Sequence, residues 1–431
     1  MEREEWLFAV TMSAVHGLDH LLKRLFPPLV PVWAAAFGFP LWKLGAVLGA
    51  HTLGSAIGQA PLGHLADRHD RRRLLAGGVA LVGLGTVAVG AVSGTAWGGV
   101  TVAGQAFGGR FLLLLAAMVA AGLGSSAVHP TGYPLISANV DGDRRGKVLG
   151  MWGSASKFGD GLAPLFVGVL LIVVAWHWIL VGFGLLTLAA ALALLLVLRE
   201  FDTRPADPDA ADTATEAVTG DRRRFIYPFA AVAVYFAVQI AAANAVTVFL
   251  PQFLTATYDL AVSVAGVSLT AESTASFYYA ALLIVAGVVQ LGTGELTDRH
   301  DPRLLLVAFL VVAAAAVATL ALLAPTPPFL LAVLVVLGAG LWGLNPARDQ
   351  LVSEIAPAGG EGKTFGYLWT GALLVSAASP PAVGYVGDVA GLRTGFALVA
   401  ALILLSGVPV ALLLSDRVYV AEEGIEAAPG D

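Results

Sequence analysis

Apolar runs of about 20 residues alternate with short polar turns along the whole chain, and each run is long enough to cross a hydrocarbon core of about 30 Å as a helix. The runs are continuous Ala, Val, Leu and Gly, without the in/out alternation over about 10 residues that marks an outer-membrane barrel. The pattern predicts helices near 7–36, 42–65, 74–94, 106–138, 147–172, 178–198, 226–254, 263–293, 304–323, 329–353, 363–387 and 394–414. Between the sixth and seventh, residues 199–225 are rich in Asp, Ala, Thr and Pro and end in Arg222-Arg223-Arg224, the composition of an exposed linker. The expected organisation is an all-α membrane protein of twelve transmembrane helices. It comprises a six-helix bundle over 1–198, a linker over 199–225, a second six-helix bundle over 226–415 and an acidic tail over 416–431.

Composition agrees with a membrane-embedded chain. Of 431 residues, 58% are hydrophobic and 13% charged, about half the charged share of an ordinary soluble domain. Without cysteine there are no disulfides or thiolate metal sites, and neither a metal nor a cofactor is expected: no HExxH occurs, and His16/His20 is the one histidine pair at i, i+4. The net charge of −6 resides in water-facing residues such as Asp207, Asp209, Asp212, Glu216, Glu422, Glu423, Glu426 and Asp431, which argues against a nucleic-acid partner. The charged start, Met1 to Trp6, runs straight into the first span and reads as an uncleaved first helix. Basic clusters at Arg68/Arg71/Arg72/Arg73, Arg144/Arg145/Lys147, Arg199/Arg204/Arg222/Arg223/Arg224 and Arg299/Arg303 all fall on even-numbered connections. By the positive-inside rule both termini are expected in the cytoplasm, in a multi-pass plasma-membrane protein.

A duplication organises the chain. GHLADRHDRR at 63–72 recurs as GELTDRHDPR at 294–303, each copy sitting between two apolar runs. Two halves of equal parity must be related by a pseudo-two-fold axis along the membrane normal, with a substrate path between them. The G-x-L-x-D-R pattern resembles the loop signature of the major facilitator superfamily, and the resemblance extends over all twelve spans. Gly63 and Gly294 permit close helix approach, while Asp67 and Asp298, at helix C-termini, call for cationic partners that Arg68, Arg71, Arg299 and Arg303 could supply. The resemblance implies that this cluster latches the cytoplasmic ends in an outward-open state; the alternative is that the residues are only positive-inside charges. Asp70 and Asp301 depart from the family, which usually has glycine there.

Two further echoes join the halves. GLGSSAVHP at 122–130 and GLWGLNP at 340–346 end in a polar residue before Pro130 and Pro346, which can bend a helix and loosen carbonyls or can serve as plain structural kinks. Gly159-Asp160-Gly161-Leu162-Ala163-Pro164 resembles the glycine–proline signature of proton-coupled drug antiporters, although close packing explains Gly159 and Pro164 nearly as well. Met118 stands where typical antiporters carry an arginine. The combination of His16-x-x-Asp19, Pro28 to Pro31, Gln59-Ala-Pro61, His129-Pro130 and Asn345-Pro-Ala-Arg348 is similar to the fosmidomycin-resistance-type efflux branch, whose members export small anionic or amphipathic drugs.

An ionisable group in hydrocarbon costs about 2.5–3.5 kcal/mol or more, so those within spans should face a cavity or a partner. His16, Asp19, His20 and Lys23 share one helical face. Asp19 and Lys23 could pair, and so could Lys157 and Asp160. In the superfamily spans 1, 4, 7 and 10 line the central cavity, which implicates His16, Asp19, His129, Asn244, Asn345, Arg348 and Asp349. Asp19 and His129 are expected to handle protons, and Arg348 to contact an anionic substrate atom; a neutral, packed His129 is the competing reading. Glu272, expected near mid-span, is a further candidate for protonation. The expected activity is proton-coupled efflux of a small organic compound, anionic or drug-like, by a monomer in the lipid bilayer. The alternatives are a proton-coupled importer of a sugar, organic acid or inorganic anion, and a non-transporting sensor or membrane-embedded enzyme. GxxxxGK[ST] is absent, which argues against drive by ATP.

Overall fold

Six passes in each half form the molecule, and prolines decide where a pass is one helix or two. The computed structural model describes residues 3–415 apart from 93–97, 103–104, 206–221, 265, 324 and 357–360, so the expected acidic tail at 416–431 lies outside the described residues. The first pass is α1 (Arg3–Leu25) and α2 (Val30–Phe37), separated by a 3-10 turn at Pro27–Leu29, where one uninterrupted helix was expected. Pro27, Pro28 and Pro31 lack the N–H groups that an unbroken ladder would need. Then follow α3 (Leu41–Ala66) and α4 (Arg71–Ala91). The fourth pass is split into α5 (Gly109–Ser125) and α6 (Val128–Asn139), and α7 (Gly142–Leu170) and α8 (Trp176–Val197) complete the first half.

The second half repeats this plan with α9 (Arg222–Thr257), α10 (Ala271–Thr297), α11 (Pro302–Leu323), a split pass of α12 (Pro327–Gly343) and α13 (Asn345–Ile355), then α14 (Glu361–Ala390) and α15 (Leu392–Leu412). Pro130 and Pro346 lie in the first turns of α6 and α13, where a missing N–H costs least, so both echoed motifs end in a helix break and restart. Pro164 is carried within a continuous α7.

Two short hairpins correct the predicted helix starts at 106 and 263. β1 (Val100–Val102) pairs with β2 (Gln105–Phe107), and β3 (Val262–Val264) with β4 (Val267–Leu269), both antiparallel. They lie between the third and fourth passes and between the seventh and eighth, both odd-numbered connections. The second turns at Gly266, with φ +82°, a conformation open to glycine but strained for other residues. The apolar periodicity continued into these segments and concealed them, because short β-branched runs and helix ends read alike.

Eight passes are apolar and long enough to cross a bilayer on composition alone. The other four, α1–α2, α3, α7 and α14, carry prolines, glycines and charges. Between the halves α3 packs on α14 and α7 on α10. At the hairpin end this joint is tight. A Cβ on Gly45 or Gly49 would meet the backbone of Pro380 or Ala377, and Asp388 accepts hydrogen bonds from the N–H groups of Leu41 and Trp42 at 2.8 and 3.0 Å.

The expected linker begins docked rather than free. Asn139 exchanges hydrogen bonds with the backbone of Asp202, each 2.7 Å, and the Arg71 N–H donates to Thr203 O at 2.9 Å.

Candidate functional site: a charged cavity between the halves

A cavity of about 760 Å³ lies between the halves. It opens towards the end bearing the basic loops: Leu291, on its wall, is 80% exposed, while the hairpin end is closed by the α3–α14 joint. Of the proposed pathway residues, His16, His129, Asn244, Asn345, Arg348 and Asp349 all line it, as do His20, Lys23, Arg24, His51, Lys157 and Asp160. Asp19 stands just behind, 4% exposed, with its carboxylate 2.7 Å from Lys23 Nζ.

The face of α1 read from spacing is packed against α7. Gly159 makes this possible, since a Cβ there would collide with the backbone of Gly17. His16 stacks on Trp152 with ring centroids 3.8 Å apart, and its Nδ1 lies 2.8 Å from Trp152 O, which can only accept, so Nδ1 carries the proton. His20 Nδ1 lies 3.1 Å from Asp160 Oδ1, and Arg24 Nε donates to the same oxygen at 3.0 Å. His129 meets His16 edge-on at 5.1 Å, so a pair at i, i+4 becomes a group of three histidines, against the expectation that no metal-ligating set exists. Only tertiary contact between the first and fourth passes brings the third one in.

This arrangement corrects the expected Lys157–Asp160 pair. Asp160 is turned into the α1 seam and held there by Arg24 and His20, whereas Lys157 lies towards α10, its Cβ beside Gly287. Lys157 lines the cavity and has no hydrogen bond or ion pair among the described residues.

On the opposite wall, Asn345, Arg348 and Asp349 form a closed group in the first turns of α13. Arg348 bonds Asp349 Oδ1 through Nε and Nη2, at 2.9 and 2.8 Å, and Asn345 Oδ1 through Nη1 at 2.9 Å. Its guanidinium lies 5.0 and 5.1 Å from the ring centres of Phe236 and Trp369, and the residue is 5% exposed. Arg348 therefore reaches the cavity with most of its donors committed. Asn244 donates to Ser376 O at 3.0 Å, tying α9 to α14.

Glu272 is misplaced by the sequence reading. It lies in the first turn of α10, next to the Thr270 cap and away from the cavity, because residues 262–269 form a hairpin instead of the first turns of the span. Sequence reasoning also passed over Arg24, one residue beyond Lys23 and eight beyond His16 on the same helix, and His51, a lone histidine in the glycine-rich α3. Trp152, which orients His16, carries no signal in the sequence beyond its aromatic character.

The duplicated loops lie at the open end. No atom stands within 4 Å of a Cβ built at Gly294, and only Pro130, at 4.0 Å, approaches one at Gly63, so the close approach expected of these glycines is not made in this state. Asp67 and Asp298 are exposed there. Arg71 Nε donates to Ala66 O at 3.0 Å, Arg299 pairs with Glu295 in the last turns of α10, and Arg303 holds Asp301 and donates to Leu413 O at 2.7 Å. The two carboxylates that depart from the family cap the following helices, Asp70 accepting from Arg72 N at 3.0 Å and Asp301 from Arg303 N at 2.8 Å. Hydrogen bonds from the Arg303 side chain hold the Asp301 carboxyl below the usual carboxylate range.

Comparison with known proteins agrees with this geometry. The family profile of the Major Facilitator Superfamily matches residues 12–271 and 270–429. Among curated proteins, a probable L-galactonate transporter of Escherichia coli K12 is 23% identical over 38% of this chain and 32% of its own length. An uncharacterised MFS-type transporter of Bacillus subtilis 168 is 23% identical over 44% of this chain and 41% of its own. The matched region thus spans a third to two fifths of these relatives. Among solved structures, a bacterial homologue of the human lysosomal transporter Spinster, inward-facing and unoccupied, superposes with TM-score 0.76 at 16% identity, covering 96% of this chain and 97% of that one. The inward-open xylose transporter of E. coli gives TM-score 0.69 at 14% identity, with 97% and 98% covered.

Proposed function

From the premise that this chain belongs to the Major Facilitator Superfamily and is a secondary transporter rather than an enzyme, we propose that it moves a small organic anion by proton-coupled alternating access, as an exporter. The observation that carries this reading is Lys157, a cation on the cavity wall with no carboxylate partner among the described residues, beside a cluster of histidines and carboxylates. Every other cation on the wall has an acid: Lys23 has Asp19, Arg24 has Asp160, and Arg348 has Asp349. An anion entering the cavity therefore meets one uncompensated positive charge, and a carboxylate or phosphonate is the chemistry that suits it. L-galactonate, carried in the name of one relative, is such a carboxylate.

In this reading Asp19 handles the proton, joined by His16 and His129 while their ring nitrogens are free, because Asp19 holds Lys23 only while ionised, and protonating it frees that cation towards the substrate. Asn244, Asn345, Arg348 and Asp349 shape the opposite wall. Orientation follows the basic loops: the cavity opens to the cytoplasm, both termini lie there, and the membrane is the plasma membrane. The proposed units are the bundles 1–198 and 226–415, joined by the segment 199–225, each molecule working as a monomer. On switching, Gly63, Asp67, Arg68 and Arg71 meet Gly294, Asp298, Arg299 and Arg303 and latch the end that is open here. Similarity to the fosmidomycin-resistance-type branch supports drug-like substrates and outward direction.

Purified protein in liposomes with an imposed pH gradient tests this. Native protein should drive flux of a small carboxylate or phosphonate, Lys157→Met should abolish it, and Asp19→Asn should leave exchange while removing the response to the gradient. Native proton-driven flux in Asp19→Asn, Lys157→Met and Arg348→Ala alike would overturn the site. In cells, lower accumulation of substrate with the gene marks export, and higher accumulation an importer.

A further inference from the structure

The three histidines gathered between α1 and α6 have the donor set of a transition-metal site. His16, His20 and His129 place their ligating nitrogens within 4.8 Å of one another. The nitrogens of a tetrahedral ion with bonds of about 2.0–2.1 Å lie roughly 3.3–3.4 Å apart, so modest ring rotations close the set. Two of the rings already carry the outer partners that orient metal-bound imidazoles. His16 is held by Trp152 O at 2.8 Å and His20 by Asp160 Oδ1 at 3.1 Å, both through Nδ1, which leaves both Nε2 atoms as the available ligands. His16 Nε2 is itself buried with no hydrogen-bond partner, on a residue 3% exposed, an arrangement that costs free energy unless something occupies that lone pair. His129 supplies the third nitrogen from another pass.

The α1 side of the site tolerates a cation. Lys23 is neutralised by Asp19 and Arg24 by Asp160, so the charged side chains on this face of α1 balance in pairs. Cysteine is absent from the chain and no other described group of three potential ligands is gathered in this way. We infer that His16, His20 and His129 form a three-imidazole site for a divalent transition ion of the zinc, cobalt or nickel class, with its fourth position open to the central cavity. Three imidazoles and an open position suit such an ion, whereas calcium and magnesium require oxygen ligands. The open position faces the space in which the transported molecule binds, so an oxygen or nitrogen donor on that molecule can complete the coordination.

Cobalt(II) titrated into the untagged, detergent-purified full chain tests the site independently of transport. The titration is run above the ordinary imidazole pKa, because protons and metal compete for the same lone pairs. One equivalent should produce the intense visible bands of four-coordinate cobalt, and added zinc should quench them. Loss of outer-shell partners alone costs about 10–100-fold in affinity, so His129→Gln and His20→Gln should each weaken binding by at least about 100-fold. His129 makes no side-chain hydrogen bond among the described residues, so that variant should elute as a monodisperse, helical protein. A double variant His64→Gln/His69→Gln, altering histidines near the open-end loop, should bind as the native chain does. Absence of the bands at stoichiometric cobalt, or their persistence in the variant with His16, His20 and His129 all changed to Gln, would overturn the assignment.

Discussion

The seam between α1 and α7 and its counterpart between α9 and α14 occupy equivalent places in the two halves but are built from different chemistry. In the first, Asp160 binds Arg24 and His20 while His16 stacks on Trp152. In the second, Asn244 donates to Ser376 O at 3.0 Å and Ser379 to Ala241 O at 2.7 Å, and no ion pair joins the two helices among the described residues. The second seam joins the longer pair of helices, α9 and α14, so a neutral seam suffices for the fold. Buried ion pairs are a poor source of stability, because desolvation cancels much of the attraction. Stability of the bundle is thus a poor explanation for the charges of the first seam.

Removing a carboxylate should separate the two seams most clearly. Asp160→Asn leaves Arg24 without its anion in a largely buried site, and thermal unfolding in detergent should register a loss of about 3 kcal/mol, the low end for such a break because Arg24 keeps some solvent. In the neutral seam Asn244→Ala should cost only about 1 kcal/mol. Equal losses would dissolve the distinction drawn above.

A smaller effect is expected where the second half grips the first. Asp388→Ala removes the cap from the start of α3, worth about 0.5–2 kcal/mol, and should favour opening at the hairpin end. Because the chain has no cysteine, a single cysteine placed at Ala46 reports that opening by its labelling rate, which should rise in the variant.

The smallest concerns the duplicated loops. With its folded pKa depressed, Asp301 stabilises the protein above the unfolded carboxylate value of about 3.9, and this contribution is lost as pH falls through the lower folded value. Melting temperature followed down through that window should fall less steeply for Asp301→Ala than for the native chain.

Much of the architecture was legible because membrane spans are written locally, as length and continuous apolar composition. The breaks in the fourth and tenth passes were foreshadowed by Pro130 and Pro346, and the charged face of α1 by the spacing of His16, Asp19, His20 and Lys23. The hairpins at 100–107 and 262–269 were not, since short β-branched segments beside a helix share its hydropathy. Their omission is what put Glu272 at mid-span.

Partner choice is where local reading ended. Lys157 and Asp160 are equally placed to pair along α7, and which of them is taken depends on α1 approaching through Gly17 and Gly159, a contact between residues far apart in the chain. Arg348 was legible as a cation but not as one already bound by Asp349 and Asn345. Spans, duplication and the inventory of charged side chains follow from the amino-acid sequence, because each is a property of neighbours along the chain. Which cation stays free, which histidines meet and which end of the cavity is open were decided by helix packing across the halves, because burial and pairing are properties of neighbours in space.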